Sequence, residues 1–137
     1  QPLRAIIDSQ SQLDDTYQII GKATASTPTH VFNATNTKLS ADGKCDLHDV
    51  MAQLTQRQIN SVWVEAGAGL VGALLEAQLI DELIIYQAPV LLGDSAKGAL
   101  QLPELTDMTQ RIELDITDTR KVGRDIKHTC NVIYPKG

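Results

Sequence analysis

The chain of 137 residues is 42% hydrophobic, which lies within the single-domain range and is enough for one globular core. Its 12 basic and 17 acidic residues leave a net charge of -5, which excludes the broad cationic footprint that nucleic acid or an anionic membrane surface requires. The longest apolar runs, such as ELIIYQAPVLLG, break at Gln87 and Pro89, short of the ~20 residues that a membrane span needs.

In chain order, Leu3 to Ser9 (LRAIIDS) is an apolar run that ends in Asp-Ser, the pattern of a buried strand delivering polar side chains at its carboxyl end. Gly21 and Pro28 interrupt the following segment, and His30 to Thr35 (HVFNAT) reads as a second short strand. From Asp46 the pattern turns helical: Leu47, Val50, Met51 and Leu54 form one apolar stripe. Asp46 is the expected N-cap, Asp49 at the third helical position makes the start resemble a capping box, whose usual partner there is Glu or Gln, and Asn60 marks the exit.

Ser61 to Ala66 (SVWVEA) predicts a strand, Leu70 to Leu79 a buried helix, and Glu82 to Val90 another strand. Strand, helix and strand within about thirty residues make a βαβ unit with a parallel pair. Beyond a loop punctuated by Gly and Pro the period becomes two. Ile112, Leu114 and Ile116 alternate with Arg111, Glu113 and Asp115, and Ile126, Cys130, Val132 and Tyr134 repeat the pattern. Gly123 between them predicts a closing antiparallel hairpin, and hence a mixed sheet.

Cys45 and Cys130 lack any C-x-x-C spacing, so neither a zinc site nor a disulfide framework is expected, and a reducing, cytoplasmic setting follows. His30, His48 and His128 are scattered and read as structural rather than as metal ligands. No signal peptide is recognisable, and the immediate start in strand-like sequence suggests a piece excised from a longer protein.

Chemistry concentrates at the turn after SVWVEA. Gly67, Gly69 and Gly72 have the spacing G-x-G-x-x-G between a strand and a helix, where glycines admit a ligand to the backbone and the first helical N–H groups face an anion. No Lys-Ser/Thr pair follows, so this is not a nucleoside triphosphate P-loop. A Rossmann site also needs an acid about 20 positions further on, where this chain has Gln87, Ala88 and Pro89. Close packing of Gly69, Gly72, Ala73 and Ala77 against a sheet stays open as the alternative to phosphate binding. Glu65, a carboxylate beside the turn, is placed to accept hydrogen bonds from a ligand, or else is a solvated strand end. Asp8 and Ser9 close the first strand; were the two strands parallel, Ser9 and Glu65 would open onto one sheet edge.

QPLRAIIDS, INSVWVEAGAGLVGALLEAQLIDELIIYQAPVLLG and the loop beyond closely resemble the reductase domain of the bacterial bifunctional riboflavin-biosynthesis deaminase/reductase. The block from Trp63 to Gly93 is the specific part: V-E-x-G, a small and apolar helix, D-E-L-I-I-Y and P-x-L-L-G. The resemblance implies an α/β, dihydrofolate-reductase-like mixed sheet, incomplete at its N-terminus. It implies NADPH-dependent reduction of the ribose of 5-amino-6-(5-phosphoribosylamino)uracil to the ribityl chain. It assigns Glu65 to substrate, and Ser9 together with Gly67, Ala68, Gly69, Leu70, Val71, Gly72 and Ala73 to the cofactor. Ala68-Gly69 stands where several relatives have Pro-Thr or a second Gly, so a hydroxyl contact is lost while backbone donors remain.

The resemblance further implies that the chain holds only the C-terminal part of one reductase domain, so that on its own it reduces substrate poorly. The zinc-deaminase signature H-x-E with P-C-x-x-C is absent, so no zinc and no deamination are expected of these residues. The expected partners are a small phosphoribosylaminopyrimidine and a second copy of the chain, since an exposed sheet edge invites pairing. Two other readings stand beside this one: a noncatalytic dimerisation module of a larger enzyme, and a Rossmann-type nucleotide-binding domain.

Overall fold

The computed structural model describes residues 1–135. They form two compact units, Gln1–Val62 and a second that begins at Trp63. In the first, strand β1 (Arg4–Ile7) pairs in parallel with β2 (Thr29–Phe32), in the register Arg4 to Thr29 through Ile7 to Phe32. The short helix α1 (Gln18–Gly21) lies in the connection, in a segment without apolar periodicity. Helix α2 (Leu47–Gln56) supplies the stripe read from the sequence: Val50 and Leu54 are buried with Phe32 and Cys45, and Leu3, Ile7, Met51 and Ile59 pack around them. Each such side chain contributes roughly 1.5–3 kcal/mol when fully buried.

The Asp46 carboxylate caps α2, accepting from the N–H groups of His48 and Asp49. The capping box does not form. Asp49 does not reach back to the cap; its carboxylate accepts instead from the Lys38 N–H at 3.0 Å and the Gln53 amide at 2.9 Å, while the Asp46 N–H donates to the Lys38 carbonyl. Aspartate is one methylene shorter than the glutamate such a box uses, and an incoming loop has claimed both groups. These bonds, the one to Lys38 N–H foremost, hold the Asp49 pKa below the usual aspartate range.

Helix α2 also stops sooner than Asn60. The Ile59 N–H donates to the Leu54 carbonyl and the Gln58 N–H to that of Thr55, a Schellman closure with Gln58 at φ 61°. Helix α3 (Ala68–Glu76) in the second unit ends the same way: Leu79 N–H to Leu74, Gln78 N–H to Leu75, and Gln78 at φ 55°. The helix expected to reach Leu79 is shortened by this turn.

The second unit carries a three-stranded antiparallel sheet in the order β3 (Glu82–Gln87), β5 (Asp125–Ile133), β4 (Glu113–Val122), with a single 3-10 turn at Met108–Gln110 before β4. The hairpin at Gly123 forms as read. Val122 faces Asp125 across a two-residue loop, and Gly123 has φ +63° while Arg124 is not among the positive-φ residues, as in a type II′ turn. A bulge between Ile116 and Asp118 leaves Thr117 outside the ladder, its hydroxyl donating to the Thr129 carbonyl. Leu83 and Ile116 flank the buried Cys130 in register.

The strand expected at Ser61–Ala66 is absent among the described residues. The segment is exposed, with Trp63 at 70%, and enters no ladder. β-branched composition makes a segment extended, but only pairing with a neighbouring strand makes it part of a ladder, and residues 61–66 pair with neither β3 nor β4, whose outer edges stay open. The parallel βαβ unit is therefore not formed. β3 pairs antiparallel, and parallel and antiparallel pairs lie in separate sheets.

Candidate functional site

The glycine turn lies at the start of α3. Gly67 is the N-cap with φ -75° and ψ 170°, ordinary extended backbone, and no side chain caps the helix. The first intrahelical bond runs from the Val71 N–H to the Gly67 carbonyl, so among the described residues the N–H groups of Ala68, Gly69 and Leu70 have no acceptor. A methyl group added at Gly67 would meet nothing within 4 Å. The turn thus joins unclaimed donors, the positive end of a helix dipole and open space, which suits the phosphates of a dinucleotide.

The remaining glycines of the motif face Gln101. At Gly72, which is buried, a methyl group would overlap the Gln101 carbonyl oxygen and come within 2.8 Å of its carbon. At Gly69 it would lie 3.4 Å from the Gln101 side-chain oxygen, and the Gln101 N–H donates to the Ala68 carbonyl at 3.1 Å. Leu74 and Leu75 are buried further along α3, and Leu70, Val71 and Ala73 are half-buried. Close packing, left open as an alternative by the spacing, accounts for Gly72; its occupant is a loop backbone. Gln101 is a residue that sequence reasoning missed, because nothing in GALQLP signals a docking partner as distant in sequence as Ala68 or Gly72.

Glu65 is exposed and accepts from the Trp63 indole N–H at 3.0 Å through one carboxylate oxygen. Burial cost, which favoured a ligand role for this carboxylate, does not arise here. Its second oxygen remains available. Ser9 lies in the first unit, after β1. Its hydroxyl oxygen accepts from the Cys45 N–H at 3.0 Å and keeps its own proton free to donate. The buried Asp8 holds the next turn, accepting from the N–H groups of Gln12 at 3.0 Å and Leu13 at 2.8 Å.

Two of the histidines have side-chain partners. His30 stacks edge-on against Phe32 and receives a hydrogen bond from Arg57, and His128 Nδ1 lies 3.0 Å from the Thr119 hydroxyl. Among the described residues no three His, Cys, Asp or Glu converge on a common point, and no helix is long and apolar enough to cross a membrane. A shallow depression of about 470 Å³ between the end of β3 and the hairpin tip, lined by Gln87, Pro89, Arg120, Lys121 and Arg124 among others, shares no residue with the glycine turn.

Comparison with known proteins bears on this arrangement. The family model described as RibD C-terminal domain matches residues 1–128. The riboflavin biosynthesis protein RibD of Haemophilus influenzae is 38% identical over all of this chain, which spans 38% of that protein. A 5-amino-6-(5-phosphoribosylamino)uracil reductase of Buchnera aphidicola is 32% identical over 92% of the chain and 65% of its own length. Among solved structures, RibD of Acinetobacter baumannii superposes with a TM-score of 0.75 at 26% identity, covering 95% of this chain and 37% of that one. The fold is accordingly the dihydrofolate-reductase-like α/β arrangement with parallel and antiparallel sheets, and the Rossmann alternative falls with the missing βαβ unit. With such a match along nearly its whole length, the chain belongs to the RibD C-terminal domain family.

Proposed function

We propose that the chain is the C-terminal part of the reductase domain of a riboflavin-biosynthesis enzyme, that the full-length enzyme reduces the ribose of 5-amino-6-(5-phosphoribosylamino)uracil to the ribityl chain with NADPH, and that the chain on its own reduces substrate poorly. The observation that carries this reading is the uncapped first turn of α3 with open space over Gly67. NADPH, when bound, supplies the hydride to the carbonyl carbon of the open-chain sugar. Of the segment Gly67 to Ala73, the first turn holds the cofactor: the amides of Ala68, Gly69 and Leu70 donate to phosphate, and the absence of a side chain at Gly67 lets the ligand approach, while Gly72 is taken up by packing. Glu65 orients substrate. Its oxygen free of Trp63 accepts from a hydroxyl or N–H of the substrate, and the indole fixes the carboxylate. Ser9 has a hydroxyl proton to donate to NADP. The same reading makes the protein a cytoplasmic homodimer acting on a small molecule, without zinc, nucleic acid or membrane.

NADPH titration and substrate turnover by the full-length protein test this. Gly67→Val places a side chain in open space at a backbone conformation valine accepts, so the fold is kept while NADPH binding weakens by at least about tenfold. Glu65→Gln keeps cofactor affinity and raises the KM for substrate. Unchanged NADPH affinity in Gly67→Val overturns the cradle.

A further inference from the structure

We propose that the loop bearing Gln101 is a positioning strap for the glycine turn, acting through its backbone, and that Gly72 is small to seat this strap rather than to admit a ligand. The inference rests on the cofactor-cradle reading for its functional half and on geometry alone for its structural half.

Three observations converge on Gln101. Its N–H donates to the carbonyl of Ala68, the first residue of α3, at 3.1 Å. Its carbonyl occupies the place where a side chain at residue 72 would begin, one helical turn further on. Its side-chain oxygen lies over Gly69. One residue therefore touches positions 68, 69 and 72 of the helix. The glycines at 69 and 72 share its side, whereas the space at Gly67 is left open.

This divides the motif by role. Gly67 belongs to the ligand and Gly72 to the strap. The loop itself has little to hold it elsewhere: residues 88–110 are exposed, and apart from the Met108–Gln110 turn they form no helix or strand. The contact at Gln101 is thus the point at which this loop is fastened to α3. Because a donor set works only when its N–H groups are aimed before the ligand arrives, a strap across the same turn controls how well they are aimed.

The test uses the full-length protein with three variants. Gly72→Ala expels the Gln101 carbonyl, Gln101→Pro deletes the N–H that bonds Ala68, and Gln101→Ala retains both backbone contacts. Hydrogen exchange at the Gln101 amide, which the Ala68 carbonyl protects, reports in Gly72→Ala and Gln101→Ala whether the strap has lifted, and steady-state kinetics report KM for NADPH separately from kcat. The expected result is faster exchange in Gly72→Ala and a KM for NADPH raised by roughly tenfold in Gly72→Ala and Gln101→Pro, with kcat within about twofold of wild type. Gln101→Ala stays close to wild type in both readouts. Slow exchange in Gly72→Ala overturns the strap itself; fast exchange with an unchanged KM overturns its positioning role. If Gly67→Val also binds NADPH normally, the fault lies in the cradle reading, and the strap keeps only its structural part. If Gly67→Val loses NADPH while the lifted-strap variants do not, the positioning inference alone fails.

Discussion

The hydroxyl of Tyr134 closes on the peptide groups of Ile80, donating to its carbonyl at 2.9 Å and accepting from its N–H at 3.1 Å. The end of β5 is thereby tied to the turn between α3 and β3, beside a second tie from the Val132 N–H to the Asp81 carbonyl at 3.0 Å. Tyr134→Phe keeps the ring and strands both Ile80 groups, which costs about 1–3 kcal/mol. Urea unfolding of the two proteins measures it, and coincident midpoints would remove Tyr134 from the account of stability. Burial, ahead of the nearby Asp81 charge and against the bond from Ile80, holds the Tyr134 pKa above its ordinary value. The folded state then binds this proton more tightly than the unfolded chain. Its contribution is complete below about pH 10 and declines as the pH rises through the higher folded value.

His30 provides the opposite pH dependence. Its Nε2 lies 3.2 Å from an Arg57 guanidinium nitrogen, which can only donate, so Nε2 accepts and the ring is neutral with its proton on Nδ1. Burial first, and the Arg57 charge second, depress the pKa. The unfolded chain takes up a proton near pH 6.5 and the folded chain only below that. The stabilisation is therefore fully present above about pH 6.5 and is lost as the pH falls toward the folded value. Denaturant midpoints at about pH 8 and about pH 5 should converge in His30→Gln relative to wild type. An identical acid-side decline in both proteins would assign it to other groups.

Asp46 is the clearest cap in the chain. Asp46→Ala removes the acceptor for the His48 and Asp49 N–H groups and should lower stability by about 1 kcal/mol. Asp46→Asn restores an acceptor and should recover most of that loss in the same thermal melt. A loss in Asp46→Asn as large as that in Asp46→Ala would show that charge, and not the hydrogen bonds, is responsible.

Asp46 and Gly123 were legible in the sequence because a cap and a tight hairpin are decided by a few neighbouring residues. The stripe Leu47, Val50, Met51, Leu54 was legible for the same reason, as was the location of the glycine turn at a helix start. Ser61–Ala66 was misread because strand formation depends on a partner far away in sequence, which composition does not reveal. Gln58 and Gln78 were missed as helix terminators because glutamine carries none of the usual signal for a left-handed residue. Within the candidate site, Glu65 and Gly67 could be singled out from their own positions. Gln101 could not, since only folding brings its backbone to Ala68 and Gly72.

The paired Schellman closures leave an unused reserve of stability. Gln58 at φ 61° and Gln78 at φ 55° each hold a side chain in a conformation that favours glycine, and the two positions share no hydrogen-bond partner. Gln58→Gly and Gln78→Gly should each add about 0.5–1 kcal/mol, with nearly additive gains in melting temperature. Neither substitution touches Glu65, Gly67 or the strap, so the protein could be hardened against heat at both helix ends while its chemistry is left alone.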